Sequence, residues 1–198
     1  DEWIQQRTGI VSRHIAAADE SLIDMAEKSA LIAIKRAGLT AQDIDAVIFA
    51  TISYPYQAPS AATELLVRLG NVKAAAFDLS AACAGFCYGV ALANDLVRNK
   101  TATNVLVMGA EKLSDFTDPD DRATAFIFAD GAGAVVIGPS KDIGIGPTIW
   151  GASAETREAI VLEPSFLEFK NNPGKADIGW PNIIQQGQTV FRWAVYEI

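Results

Sequence analysis

Apolar residues recur every three or four positions from Ser21 to Arg36. Leu22, Met25, Ala26, Ala30, Ala33 and Ile34 fall near one face, which predicts a helix. Ser21 followed by Asp24 makes a capping pattern at its start, and Gly38 supplies a stop. Thr40 to Asp43 repeats the cap before a short helical turn. Ala46 to Ile52 (AVIFATI) runs apolar without alternation and is rich in β-formers, as a buried parallel strand requires. Pro59 and Ser60 open a helix that runs to Leu69 and closes at Gly70. Lys73 to Asp78 predicts a strand and Cys83 to Arg98 a helix, and Val105–Gly109 and Ala132–Gly138 two more buried strands.

Strand and helix alternate, so the chain predicts an α/β fold with a mostly parallel sheet and right-handed crossovers. A further strand is expected from Ile145, leading into residues 155–185, which are rich in Pro, Gly and Asn. That stretch predicts a long irregular segment of the kind that carries function. The end, FRWAVYEI, has helical spacing without a stop signal, and the chain opens without Met. Both ends lead us to expect a piece of a longer protein.

Composition narrows the classes. Half of the 198 residues are hydrophobic and a fifth charged, enough to bury a core and unlike a disordered chain. A formal charge of −8 argues against a nucleic-acid surface, although a few local arginines can still hold a phosphate. Two cysteines four residues apart do not make a secreted disulfide framework and fit a reducing, cytoplasmic setting. No apolar run reaches membrane-spanning length, and no signal peptide is evident.

The candidate chemistry centres on Cys83, in FDLSAACAGFCYG. Small residues before it suit a tight strand-to-helix turn, and Gly85 admits close approach. The free N–H groups and dipole of a helix start favour a thiolate and suit an oxyanion. The plainer alternative is a buried, inert thiol, which composition alone favours. Cys87, one turn deeper, takes that plainer reading. His14, the only histidine, sits in the polar run VSRHIA with nothing to aim it at Cys83. No His/Cys/Asp/Glu group has metal-ligand spacing, so no metal is expected. ADGAGAVVIG imitates a dinucleotide fingerprint, but a strand follows its glycines where the fingerprint needs a helix; close backbone approach or a bulge is expected there instead. Trp3, Arg7 and Arg122 are separable candidates for stacking on a heterocycle and forking onto phosphate.

These motifs together resemble one family. DEWIQQRTGI, PSAA at 59–62, SAACAGF around Cys83, DR at 121–122, DGAGAVV at 130–136 and GQTVFRWAV at 187–195 are similar, in the same order, to β-ketoacyl-acyl carrier protein synthase III. That family has the thiolase-like fold; thiolases and hydroxymethylglutaryl-CoA synthases share it, but RTGI and DR fit the synthase III group better. The resemblance implies an N-terminal thiolase-like half over 1–140, without its first strand, and the beginning of the C-terminal half over 141–198. It also turns the balance at Cys83 toward a nucleophile.

The implied reaction is a Claisen condensation of a short acyl-CoA primer with malonyl-acyl carrier protein, without a cofactor. Cys83 would take the acyl group. Trp3 and Arg122 would sandwich the CoA adenine, and Arg7 would contact its phosphates or pantetheine arm. Gly187 and Phe191 would border the pantetheine tunnel, and Phe128 would line the acyl pocket. Ala58 would reach the acyl pocket of the second subunit of a homodimer, its small size leaving room for a longer or branched primer. Arg192 is a candidate contact for the acidic carrier protein. The family's catalytic His and Asn have no counterpart in this chain, so the chain alone is not expected to condense. The alternatives are an acyltransferase to a non-malonyl acceptor, and a non-catalytic scaffold binding acyl groups or carrier protein.

Overall fold

A computed structural model describes residues 2–175 and 178–197. The chain divides into two compact units, one of residues 16–112 and 130–149, the other of residues 1–15, 113–129 and 150–198.

The first unit is built on a four-stranded sheet of β1 (Ala46–Ala50), β2 (Ala75–Leu79), β3 (Val105–Lys112) and β4 (Asp130–Ile137), in the order β2-β1-β3-β4. β1 runs parallel to both β2 and β3, while β4 is antiparallel to β3. Side-chain alternation along β1 and β3 feeds two cores. Val47, Phe49, Leu106 and Met108 face α2 (Leu22–Arg36) and α3 (Ala61–Arg68). Ala46, Ile48, Val105 and Val107 face α4 (Gly85–Arg98). Every residue of β1 is buried, which explains its unbroken apolar run.

Local chemistry sets the helix ends. Ser21 accepts from the Asp24 amide while the Asp24 carboxylate accepts from the Ser21 amide, closing the expected capping box. Ser60 caps α3 with its hydroxyl, which accepts from the Thr63 amide. Gly38 and Gly70 both stand at φ +72°, the left-handed geometry that ends a helix.

The second unit holds α1 (Glu2–Thr8), α5 (Phe166–Asn171), α6 (Gly187–Glu197) and an antiparallel pair of β5 (Ile160–Glu163) and β6 (Asn182–Gln185). Trp180 is packed against Phe116, Phe166 and Phe169, and its indole N–H donates to the Asp115 carbonyl at 2.8 Å.

Several expectations are corrected. No strand forms from Ile145; the next strand is β5, because Gly144, Gly146 and Pro147 interrupt any ladder there. Residues 155–185 are not irregular, since they hold β5, α5 and β6; residues 176–177 lie outside the described part. Gly131 and Gly133 lie inside β4 in an unbroken register with β3 and with nothing within 4 Å of a Cβ built on either, so no bulge forms there and no described residue approaches them closely.

Candidate active site

The segment that carries Cys83 leaves the end of β2 and turns sharply. Ala82 stands at φ +44°, where a side chain with a Cβ is strained by about 1–3 kcal/mol. Residues 82–84 form a single 3-10 turn, and α4 begins only at Gly85. The expected helix start at Cys83 is therefore corrected by two residues. The Ala84 amide bonds the Ala81 carbonyl at 3.1 Å and the Gly85 amide bonds that of Ala82. The Cys83 N–H meets no acceptor among the described residues. The turn thus presents an exposed thiol beside an available amide donor, as attack on a carbonyl and stabilisation of its oxyanion require.

The floor beneath this turn is tight. A Cβ on Gly85 would meet the Ala50 Cβ at 3.0 Å and Leu79 Cδ2 at 3.7 Å, so glycine lets α4 start close against the ends of β1 and β2 without pushing Ala50 aside. Asp78, five residues before Cys83, accepts from the Ala61 and Ala62 amides at 2.7 and 2.9 Å, which anchors the start of α3 to β2. Ala58 lies exposed on the loop just before that helix.

A second polar cluster lies at the end of β3. The Glu111 carboxylate accepts from the Ile52 amide at 3.0 Å, from Thr51 Oγ1 at 3.2 Å and from Ser53 Oγ. Thr51 Oγ1 in turn accepts from the Ser53 amide, and Ser53 Oγ from the Lys112 amide. Burial pushes the Glu111 carboxyl above its ordinary range, and these hydrogen bonds oppose that shift.

Cys87 is exposed and lies in the first turn of α4, so its expected burial is corrected. The apolar helix presents its glycine and alanine positions to the sheet (Gly85, Gly89, Ala91, Ala93) and turns Phe86 and Cys87 outward. His14 is exposed.

In the other unit, the structure brings Trp3 and Arg7 together on α1, with the guanidinium 4.5 Å from the centre of the indole ring. Arg122 is exposed on a turn held by Asp121, which accepts from the Ala123 amide at 2.8 Å and Thr124 Oγ1 at 2.7 Å. Phe128 is half-buried; the neighbouring Ile127 carbonyl accepts from Arg13 Nε at 2.9 Å. Gly187 opens α6, where Phe191 and Arg192 are exposed. Among the described residues no group of three or more His, Cys, Asp and Glu is placed to hold a metal, and no helix is long and apolar enough to cross a membrane.

Sequence reasoning missed Asp78 and Glu111. The signal for each was a lone acid at the end of an apolar strand, in KAAAFDL and VLVMGAEK.

Comparisons with known proteins bear on the same residues. The family model described as 3-oxoacyl-[acyl-carrier-protein] synthase III matches residues 77–154, a span that includes Cys83. A β-ketoacyl-[acyl-carrier-protein] synthase III of Kocuria rhizophila is 46% identical over 216 residues, covering 100% of this chain and 61% of that protein. One from Streptomyces coelicolor is 47% identical, with 100% and 60% coverage. The chain therefore spans about three-fifths of the length of the relatives it matches. Among solved structures, the priming β-ketosynthase from the R1128 polyketide biosynthetic pathway superposes with a TM-score of 0.94 at 38% identity, covering 98% of this chain and 57% of that one. The Aquifex aeolicus 3-oxoacyl-[acyl-carrier-protein] synthase III gives 0.76 at 34% identity, covering 97% and 57%. The thiolase-like fold expected from the sequence is that of these structures.

Proposed function

We propose, from the premise that this chain belongs to the β-ketoacyl-acyl carrier protein synthase III family, that Cys83 is the acyl-accepting nucleophile of a condensing enzyme. The observation that carries the reading is the strained turn at Ala82, which sets an exposed thiol next to a free backbone N–H. Strain of this kind persists only where surrounding structure holds it, and it concentrates at functional sites.

In the first half-reaction the Cys83 sulfur attacks the thioester carbonyl of a short acyl-CoA. A new S–C bond forms, the CoA thiolate leaves, and the Cys83 proton goes to it or to solvent. The Cys83 N–H, which has no acceptor of its own among the described residues, donates to the oxyanion of the tetrahedral intermediate. In the second, malonyl-acyl carrier protein loses CO2, and its carbanion attacks the acyl group to release 3-ketoacyl-acyl carrier protein and free Cys83. No cofactor takes part in either half.

The CoA adenine stacks on Trp3, with Arg122 opposite it. The stacked Arg7 either gives way to the base or leaves it the other indole face, and so stays close to the phosphates. Gly187 and Phe191 border the pantetheine arm, Phe128 lines the acyl pocket, and Arg192 meets the acidic carrier protein. The protein acts in the cytoplasm as a homodimer. That assembly is supported by β2, the outer strand of its sheet, which pairs with β1 on one side and with no strand among the described residues on the other. Such an edge, with Phe77 exposed on it, is suited to pairing with a second copy. The proposed division into a thiolase-like half at 1–140 and the start of a second at 141–198 draws support from the separate sheets, the four-stranded one before Gly138 and the pair β5–β6 after it, while residues 1–15 and 113–129 group with 150–198 in one compact unit.

The likeness to a priming ketosynthase favours a second reading, in which the same condensation primes a polyketide chain. Product analysis with acetyl-CoA and malonyl-acyl carrier protein tests both, using the protein that carries this chain. A 3-ketoacyl product that Cys83→Ala abolishes is expected. Transfer of acyl groups without release of CO2 would replace condensation with simple acyl transfer.

A further inference from the structure

We infer that Glu111 is a positioning residue for Cys83, acting through the strand ends on which the nucleophile's turn is seated. This rests on the reading of Cys83 as nucleophile. Glu111 lies beyond the stretch of β3 that pairs with β1, whose register ends at Ala50 opposite Gly109. Its carboxylate takes over where that ladder stops, gathering Thr51, Ile52 and Ser53. Thr51 and Ser53 are buried, at 7% and 2% exposure, so neither hydroxyl has water as a ready substitute partner.

Proton accounting shows that the cluster needs a carboxylate. Thr51 Oγ1 accepts from the Ser53 amide and Ser53 Oγ accepts from the Lys112 amide, so both hydroxyl protons are directed at Glu111. With the Ile52 amide, three donors converge on one acceptor-only group. A glutamine amide would turn a donor toward a site already filled with donors.

The gathered segment is continuous with the nucleophile's seat. The Thr51 amide donates to the Leu79 carbonyl at 3.3 Å, joining the exit of β1 to the exit of β2. Ala50 and Leu79 are the residues against which Gly85 is packed without room for a Cβ. Ala82 is held at its strained φ between Leu79 and Gly85. Glu111 therefore fixes, from the far side of β1, the surface that holds the Cys83 turn in a conformation the chain would otherwise relax.

Cys87 supplies an internal control, being exposed on α4, past the strained turn that holds Cys83. The test is iodoacetamide alkylation of the chain across a pH series, with Cys83 and Cys87 followed separately by peptide mass spectrometry, beside Cys83 acylation by acetyl-CoA. In Glu111→Gln the rates at Cys83 should fall roughly tenfold, as small misplacements of a reacting group do, with Cys87 unchanged. Glu111→Asp should recover part of the loss. Ser53→Ala, which keeps the carboxylate and removes one donor, should shift the same ratio in the same direction by less, and decides the matter should Glu111→Gln not fold. An unchanged Cys83-to-Cys87 ratio, or equal changes at both thiols, would overturn the inference. Failure of the parent chain to take acetyl, with the alkylation ratio still falling in Glu111→Gln, would sink the acyl-transfer reading and leave the positioning role standing.

Discussion

Gly89→Ala is the perturbation whose outcome the packing of α4 decides most sharply. Gly89 is buried where α4 crosses the sheet, and a Cβ there would lie 2.9 Å from Val107 Cγ1 and 3.5 Å from Ile48 Cγ2. Ordinary contact begins near 3.4 Å, so the first distance is short by about half an ångström. Val107 and Ile48 are both fully buried, and a β-branched side chain in a strand has little freedom to turn away. Alanine gains about 1 kcal/mol over glycine in a helix interior. Overpacking a filled core costs about 1–3 kcal/mol, and the stiffness of Val107 puts this site in the upper part of that range. The expected net effect is a loss of about 1–2 kcal/mol, seen as a fall in Tm of roughly 3–8 °C by circular dichroism. Val107→Ala alone should cost about 2 kcal/mol through its cavity. In the double variant the new methyl occupies that cavity, so the two losses should fall short of additivity by about 1 kcal/mol or more. A Gly89→Ala protein as stable as its parent, or strict additivity with Val107→Ala, would refute the close seating of α4 on β1 and β3.

Two further outcomes follow from other parts of the chain. Asp24 is held well below the ordinary carboxylate range, chiefly by the Ser21 hydroxyl, then by the Ser21 amide and Arg68. Its folded value is depressed, so its stabilisation is present above the unfolded value near 4 and is lost as pH falls through the folded one. Asp24→Asn should therefore be less stable than its parent at pH 7, with the gap in urea midpoint closing as pH drops below about 4; a gap independent of pH would contradict this. Ala58→Met, in the protein that carries this chain, should lower turnover with isobutyryl-CoA relative to acetyl-CoA by roughly tenfold, and equal losses with both primers would remove Ala58 from the acyl pocket.

The regular parts of the fold were legible because single residues announce them. Ser21–Asp24 and Ser60 fix helix starts by their own hydrogen bonds, and the unbroken apolar run at 46–50 follows from burial on both faces of β1. What the pattern could not show depends on partners distant in sequence. Glu111 reads as a surface acid until β3 carries it beside Thr51 and Ser53, 60 and 58 residues earlier. Cys87 reads as a core thiol because the first turns of the helix are almost wholly apolar, yet α4 buries its glycine and alanine side. The start of α4 was misplaced by two residues because nothing local distinguishes a 3-10 turn of Ala-Cys-Ala from a first helical turn. The strain at Ala82 was invisible for the same reason, since alanine does not mark a positive φ in the sequence as glycine or asparagine does.

The destination of the acyl group tests Cys83 as the nucleophile most directly. Incubation with acetyl-CoA, followed by digestion and mass spectrometry, should find acetyl on the peptide that carries Cys83, at the sulfur of that residue. Cys87→Ala should leave the modification in place and Cys83→Ala should abolish it. Acetyl found at Cys87, or retained after Cys83→Ala, would contradict the claim that the turn at Ala82 presents the nucleophile.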